Sequence, residues 1–285
     1  MRQFTTFAKI HLSSIYSGQE ISHISRLLLE KIAGIDGIRF YSDKDMKIPE
    51  TTAIKLREAV ERLEKHEPLQ YILGETEFSG LIFHVEPGVL IPRPETEELV
   101  EIVLKDTSAY PATKEVQVID LCSGSGCIAI TLAKRRPFSN VEGWDISGEA
   151  LRISRQNAQS LNVSVKFIER DVLSFIPSDN QIGTIDLMVS NPPYVCLSEQ
   201  QMMEPKVLDF EPHVALFVED TNPLIFYGRL AFLGERLLKI GGCLYVEINS
   251  RFGKETAQVF EACTFSEVTI FKDMSGHDRF IRATR

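Results

Sequence analysis

Cysteine is scarce and unpatterned in this chain of 285 residues. Its five cysteines, Cys122, Cys127, Cys196, Cys243 and Cys263, are odd in number and scattered, and no Cys-x-x-Cys occurs. That argues against a disulfide framework and predicts a reduced, intracellular protein. The six histidines show no metal-ligand spacing, so no metal site is expected. Long apolar runs are missing too, and none could cross a bilayer. Met1 to Tyr16 lacks the apolar centre of a signal peptide, and the expected location is the cytoplasm. Internal repeats and low-complexity stretches are absent. So is an excess of positive charge: the net charge is −9, which argues against a protein that wraps DNA. The local basic run Lys134-Arg135-Arg136 is explained by a solvated helix end.

What is present divides by pattern. The first third is helical in its spacing: Phe4, Phe7, Ala8, His11, Leu12 and Ile15, then Ile21, Ile24, Leu27, Leu28 and Ile32, then Leu56, Ala59, Val60 and Leu63. Pro49 suits the first turn of the third helix. Such stripes make a small bundle, which could only pack or could receive a partner. Phe78, Leu81–Val85 and Val89–Ile91 then suggest a hairpin, with Gly80 and Pro87-Gly88 as turns. A helix should start at Pro94, with Glu95, Glu97 and Glu98 in its favourable first turn, and run to about Lys105. Tyr110–Lys114 is a linker. The expected domains are 1–74, a helical bundle for substrate-protein recognition; 75–114, a hairpin and linker helix; and 115–285, the catalytic domain.

From Glu115 the chain alternates. Strands are predicted over Val116–Leu121, Val141–Trp144, Val165–Ile168, Ile185–Val189, Cys243–Ile248, Glu267–Phe271 and Arg279–Ala283. Helices are predicted over Cys127–Lys134, Ala150–Ser160, Pro223–Leu238 and Gly253–Ala262. This is an α/β pattern, with a mostly parallel sheet covered on both faces. Lys272–Asp278 is too short for a crossover, so the last two strands should be antiparallel.

Two stretches carry chemistry. In the first, Val118-Ile119-Asp120-Leu121 runs into Cys122-Ser123-Gly124-Ser125-Gly126, and a helix follows. A strand, a Gly-rich turn and a helix in that order let a ligand lie against backbone. Asp145, at the next strand end, can hold two ribose hydroxyls. Together they point to a nucleoside-containing cofactor. A second Gly-rich turn, which a dinucleotide could use for its other half, is missing. Asp171 is a candidate contact for an adenine amino group, or an ordinary turn cap.

The second stretch is Ser190-Asn191-Pro192-Pro193-Tyr194, at the end of an apolar strand. The prolines stop any ladder or helix and force an extended turn. An amide oxygen and a proline carbonyl are good acceptors for an NH₂ group, and the tyrosine ring can pack on a flat one. The plainer alternative is a polar turn with a proline stop.

Asp120–Gly126 with Asp145 resembles the S-adenosylmethionine site of class I methyltransferases, and Asn191-Pro192-Pro193-Tyr194 resembles their amino-methylating motif. Pro68-Leu69-Gln70-Tyr71-Ile72-Leu73-Gly74, Leu90-Ile91-Pro92-Arg93-Pro94-Glu95-Thr96 and Phe210-Glu211-Pro212-His213-Val214-Ala215-Leu216 are more specific. With them the chain, from about Pro68 to its end, resembles the bacterial peptide chain release factor N5-glutamine methyltransferases. The resemblance implies a Rossmann-like seven-stranded methyltransferase sheet with an antiparallel last strand, plus a small N-terminal helical domain. It implies methyl transfer from S-adenosylmethionine, leaving S-adenosylhomocysteine, to the side-chain amide of the Gln in a Gly-Gly-Gln loop of class-one release factors. By position, Cys122, Ser123, Gly124, Ser125 and Gly126 would line the methionine part, Asp145 the ribose, and Val172 the adenine side. Asn191, Pro192, Pro193 and Tyr194 would hold the substrate amide, with Asn191, Pro192 and Tyr194 as the catalytic set and Asn191 also beside the cofactor. Two departures stand out: Cys122 replaces the family's usual Gly, and Val172 replaces an aromatic found in some members.

A monomer with no membrane partner and no direct nucleic-acid substrate is expected. The competing assignments are a glutamine methyltransferase of a ribosomal protein, an adenine or guanine amino-methyltransferase acting on a flipped base, and a non-catalytic binding module.

Overall fold

A computed structural model describes residues 1–43, 45–110 and 112–285. Pro111, inside the linker expected at Tyr110–Lys114, lies outside the described residues. The chain forms two compact units, Met1–Glu75 with Glu204–Phe210, and Thr76–Met203 with Glu211–Arg285.

The first unit contains helices α1 (Arg2–Leu12), α2 (Gly18–Ala33), α3 (Gly37–Ser42), α4 (Glu50–Glu64) and α5 (Leu69–Leu73). Ser17 and Glu20 form a reciprocal capping box at the start of α2, and Gly34 at φ 64° ends it. Pro49 sits one residue ahead of α4, as its cap. The apolar stripes face each other: Phe4, Ala8 and Leu12 meet Ile21, Ile24 and Leu28, and Leu56, Val60 and Leu63 complete the core.

The second unit begins at Thr76, within the first strand of a hairpin of β1 (Glu75–Phe78) and β2 (Leu81–His84) that turns at Ser79-Gly80. Val89–Ile91, expected as a further strand, is irregular. Its polar backbone is satisfied another way, as the Ile91 amide donates to the Glu211 carboxylate at 3.1 Å. Then come α6 (Pro94–Lys105), β3 (Val116–Leu121), α7 (Cys127–Arg135), β4 (Ser139–Asp145), α8 (Gly148–Ser160), β5 (Lys166–Glu169) and β6 (Ile185–Ser190). After them follow β7 (Val195–Cys196), the short α9 (Pro205–Leu208), which falls in the first unit, β8 (Phe217–Val218), α10 (Ile225–Leu237), β9 (Leu238–Glu247), α11 (Gly253–Glu261), β10 (Glu267–Lys272) and β11 (Asp278–Thr284).

Seven strands form one sheet in the order β10-β11-β9-β6-β3-β4-β5. The pairs β9/β6, β6/β3, β3/β4 and β4/β5 are parallel, and β11 is antiparallel to both neighbours. The sheet is therefore the Rossmann-like one expected. Its two faces separate by the two-residue period of a strand. Val118, Leu187, Val189 and Tyr245 face the core under α6, α7 and α8. Ile119, Leu121, Met188, Leu244 and Val246 face the core under α10 and α11. The chain order reverses between β3 and β6, which makes their carboxyl ends the switch point where an open sheet binds ligands.

Candidate active site

A cavity opens at that switch point. Its walls come from Gly88–Leu90, Cys122, Gly124, Asp145–Ser147, Arg170–Leu173, Asn191, Pro193, Pro212, Val214 and Phe226, among others. Register explains the convergence: Leu121 lies beside Ser190 and Trp144, so the turns after β3, β4 and β6 leave the sheet at one level.

The turn after β3 is built from left-handed backbone: Cys122 has φ 61°, Gly124 φ 54° and Gly126 φ 80°. Cys122 thus adopts a conformation that favours glycine. A side chain at Gly124 would meet no protein atom within 4 Å. Since Gly124 lines the cavity, the space beside its backbone is open to a ligand. The turn is fixed from below by Asp120, which is fully buried and accepts from the Ser123 hydroxyl at 2.6 Å and the Ala129 amide at 3.2 Å. The other Asp120 oxygen has no partner among the described residues. Burial raises its pKa to about 7, against those two hydrogen bonds.

Asp145 stands at the end of β4. One of its oxygens accepts from the Gly124 amide at 2.8 Å and the other from the Ser147 amide at 2.9 Å. Burial raises its pKa, and these backbone amides oppose the rise. Asp171 caps its own turn, accepting from the Leu173 amide at 2.9 Å and the Ser174 hydroxyl at 2.6 Å. It nevertheless lines the cavity beside Val172. Where an aromatic is absent at Val172, Arg170 lies 4.2 Å from the Trp144 ring centroid and 4.1 Å from that of Phe175.

The Asn-Pro-Pro-Tyr turn is tied down at both ends. Ser190 donates to the Leu121 carbonyl at 2.7 Å, and the Tyr194 carbonyl accepts from Asn249 Nδ2 at 3.1 Å. Asn191 Nδ2 donates to Thr96 Oγ1 at 3.0 Å. Thr96 donates in turn to Glu247 at 2.8 Å, and the Tyr194 hydroxyl donates to the other Glu247 oxygen at 2.9 Å. Among the described residues nothing donates to Asn191 Oδ1 or to the Pro192 carbonyl. A second tie crosses the cavity wall, where Glu211 accepts from Arg93 at 2.6 Å as well as from the Ile91 amide.

Of the residues expected here, Cys122, Gly124, Asp145, Asp171, Val172, Asn191 and Pro193 line the cavity. Ser123, Ser125, Gly126, Pro192 and Tyr194 do not. Ser123 and Ser125 are buried in the turn. The Tyr194 ring packs against the apolar core under α10, and its hydroxyl points to Glu247 rather than to a ligand amide. In sequence Thr96, Glu211 and Asp120 stand inside motifs without a role of their own, and Glu247 in none. Asp120 and Glu247 carried a signal: each is a lone carboxylate inside an apolar strand run.

Residues 6–74 match the model of the PrmC N-terminal domain, and residues 98–208 match that of the methyltransferase small domain. The release factor glutamine methyltransferase of Bacteroides thetaiotaomicron is 43% identical over 286 residues, covering 100% of each chain. That of Flavobacterium psychrophilum is 39% identical over 271 residues, covering 95% of this chain and 94% of the relative. The chain belongs to the release factor glutamine methyltransferase family. Solved structures share the fold. One, from Thermus thermophilus, is a 16S rRNA methyltransferase in complex with AdoMet and guanosine; it has a TM-score of 0.53 at 17% identity and covers 74% of this chain and 49% of that one. A Pyrococcus furiosus methyltransferase has a TM-score of 0.52 at 14% identity, covering 72% of this chain and 89% of that one. The family's cofactor fits the cavity on this chain's own features: open space beside the Gly124 backbone, a carboxylate at the end of β4, and apolar walls at Val172 and Leu173.

Proposed function

We propose that the protein transfers a methyl group from S-adenosylmethionine to the side-chain amide nitrogen of the Gln in the Gly-Gly-Gln motif of class-one release factors. When bound, the cofactor supplies an electrophilic methyl group on a sulfonium. Asp145 would hold its ribose, the Cys122–Gly126 turn its methionine part, and Asp171 and Val172 its adenine side. The observation that carries the proposal is the pose of Asn191, a cavity-lining residue whose Nδ2 donates to Thr96 at 3.0 Å, which would leave its Oδ1 for a substrate amide.

An amide nitrogen is a weak nucleophile because its lone pair is delocalised into the carbonyl. Asn191 Oδ1, and the carbonyl of Pro192 between the lining residues Asn191 and Pro193, would accept the two N–H bonds of the substrate amide. Two such bonds would favour a pyramidal nitrogen with its lone pair free for an electrophile. Pre-set dipoles and positioning thus do most of the work. No base is needed before transfer, because the amide proton becomes acidic only once the methyl is attached, and it then leaves to solvent. Tyr194 serves by holding the turn through Glu247 and the core. The helical unit Met1–Glu75 would recognise the release factor, in the cytoplasm, with the enzyme acting as a monomer.

Labelled cofactor, offered with release factor, ribosomal proteins and ribosomal RNA in parallel, tests the substrate. Label is expected in the release factor, and label confined to RNA or to a ribosomal protein contradicts the proposal.

A further inference from the structure

Thr96, which meets Asn191 at 3.0 Å, belongs to the stretch Ile91–Thr96. That stretch opens α6, with Pro94 as the first helical residue and Thr96 two positions on. Thr96 is 2% exposed and sits between Asn191 and Glu247. Glu247 is 1% exposed and closes β9, on the sheet face that α6 covers. Resting on the function proposed above, we infer that Thr96 and Glu247 are positioning residues that fix which edge of the Asn191 amide faces the substrate.

The logic is one of donors and acceptors. An ionised carboxylate only accepts, and a hydroxyl has a single proton to give. Tyr194 occupies one Glu247 oxygen and Thr96 the other. When Glu247 is ionised, the Thr96 proton is committed to the carboxylate, and Thr96 can only accept from Asn191. The Asn191 edge that meets it must therefore be NH₂, and the carbonyl edge must face away, into the cavity. A flipped Asn191 would set its oxygen against the Thr96 oxygen and present NH₂ to an NH₂ substrate, two mismatches at once. Burial raises the Glu247 carboxyl above its ordinary range, while Thr96, Tyr194 and the nearby Arg279 favour the ionised form, and Glu95 opposes it. Glu247 thus links the two motif residues: it holds Tyr194 directly and Asn191 through Thr96.

The test uses the full chain with three functional substitutions and one for spectral assignment. Thr96→Val keeps the shape and removes the hydroxyl. Thr96→Ser restores it. Glu247→Gln keeps the volume and makes the polarity of the chain of bonds ambiguous, since an amide can donate or accept. For Thr96→Val the turnover of release factor should fall about three- to tenfold, the worth of one oriented hydrogen bond. Cofactor affinity should stay within about twofold, and Thr96→Ser should recover most of the loss. Glu247→Gln should fall in the same direction as Thr96→Val. Selective ¹⁵N-Asn labelling supplies a readout independent of turnover, with Asn191 assigned through Asn191→Asp. Its side-chain NH₂ pair should exchange slowly in wild type and in Thr96→Ser, and fast in Thr96→Val. Equal exchange in wild type and Thr96→Val, or turnover unchanged by Thr96→Val in an active enzyme, overturns the inference. Failure of wild type to methylate any release factor overturns the proposed function instead, and the exchange rates still decide whether Thr96 orients Asn191.

Discussion

Two carboxylates and one amide at the ends of adjacent strands divide the labour of the site. Asp145 accepts from backbone amides on both oxygens, so it is fixed before any ligand arrives. Asp145→Ala should therefore weaken cofactor binding by about tenfold or more, the worth of hydrogen bonds to a charged group. Calorimetry showing unchanged affinity would remove Asp145 from the site. Asn191→Ala should do the reverse, lowering turnover about a hundredfold or more, as losing one pre-set polar contact to a transition state does, with little change in cofactor affinity. Asp120 works beneath both. Its folded pKa of about 7 exceeds the ordinary value of 3.8, so the folded chain binds this proton more tightly than the unfolded chain. That contribution is fully present below about pH 4 and is lost as the pH rises through about 7. The melting temperature of the cofactor-free wild type, minus that of Asp120→Asn, should fall across this range. A flat difference would contradict the assignment.

Among the elements, β4 shows how packing reaches the site. A side chain on Gly143 would lie 2.6 Å from the Phe167 ring and 2.8 Å from Ser123 Oγ. Gly143→Ala should cost about 1–3 kcal/mol, as overpacking does, and should weaken cofactor binding by displacing Ser123. Urea denaturation with no loss of stability would sink this. The repeating elements were legible because period and burial coincide. The strands of the main sheet and the flanking helices lie within about two residues of where alternation places them, except that β9 starts at Leu238 rather than Cys243, taking a residue expected to close the preceding helix. Val89–Ile91 misled because three apolar residues after a Pro-Gly turn look like a strand whether they pair with one or not. What they lack is a neighbouring edge; Glu211, 120 positions along the chain, takes the Ile91 amide instead. Thr96 was hidden for a related reason. In sequence it is one residue in a helix start, and its meaning arises only when β6 and β9 bring Asn191 and Glu247 to it.

At the level of the whole chain, the Gly-rich turn and Asn191–Tyr194 are separated by more than sixty residues of sequence, yet one cavity collects the ends of β3, β4 and β6. The sheet supplies the cofactor side, and the family supplies the substrate class. The first unit is discontinuous, taking in Glu204–Phe210 from late in the chain. No reading of apolar stripes along Met1–Gly74 could register that, because seven residues carry no period of their own. A net charge of −9 is compatible with a protein loop as substrate. The most direct measurement is tandem mass spectrometry of a class-one release factor after incubation with S-adenosylmethionine and either wild type or Asn191→Ala. The account predicts a single methyl group on the side chain of the Gly-Gly-Gln glutamine with wild type, and almost none with the variant. A methyl group on any other residue, or equal modification by the two proteins, would contradict it.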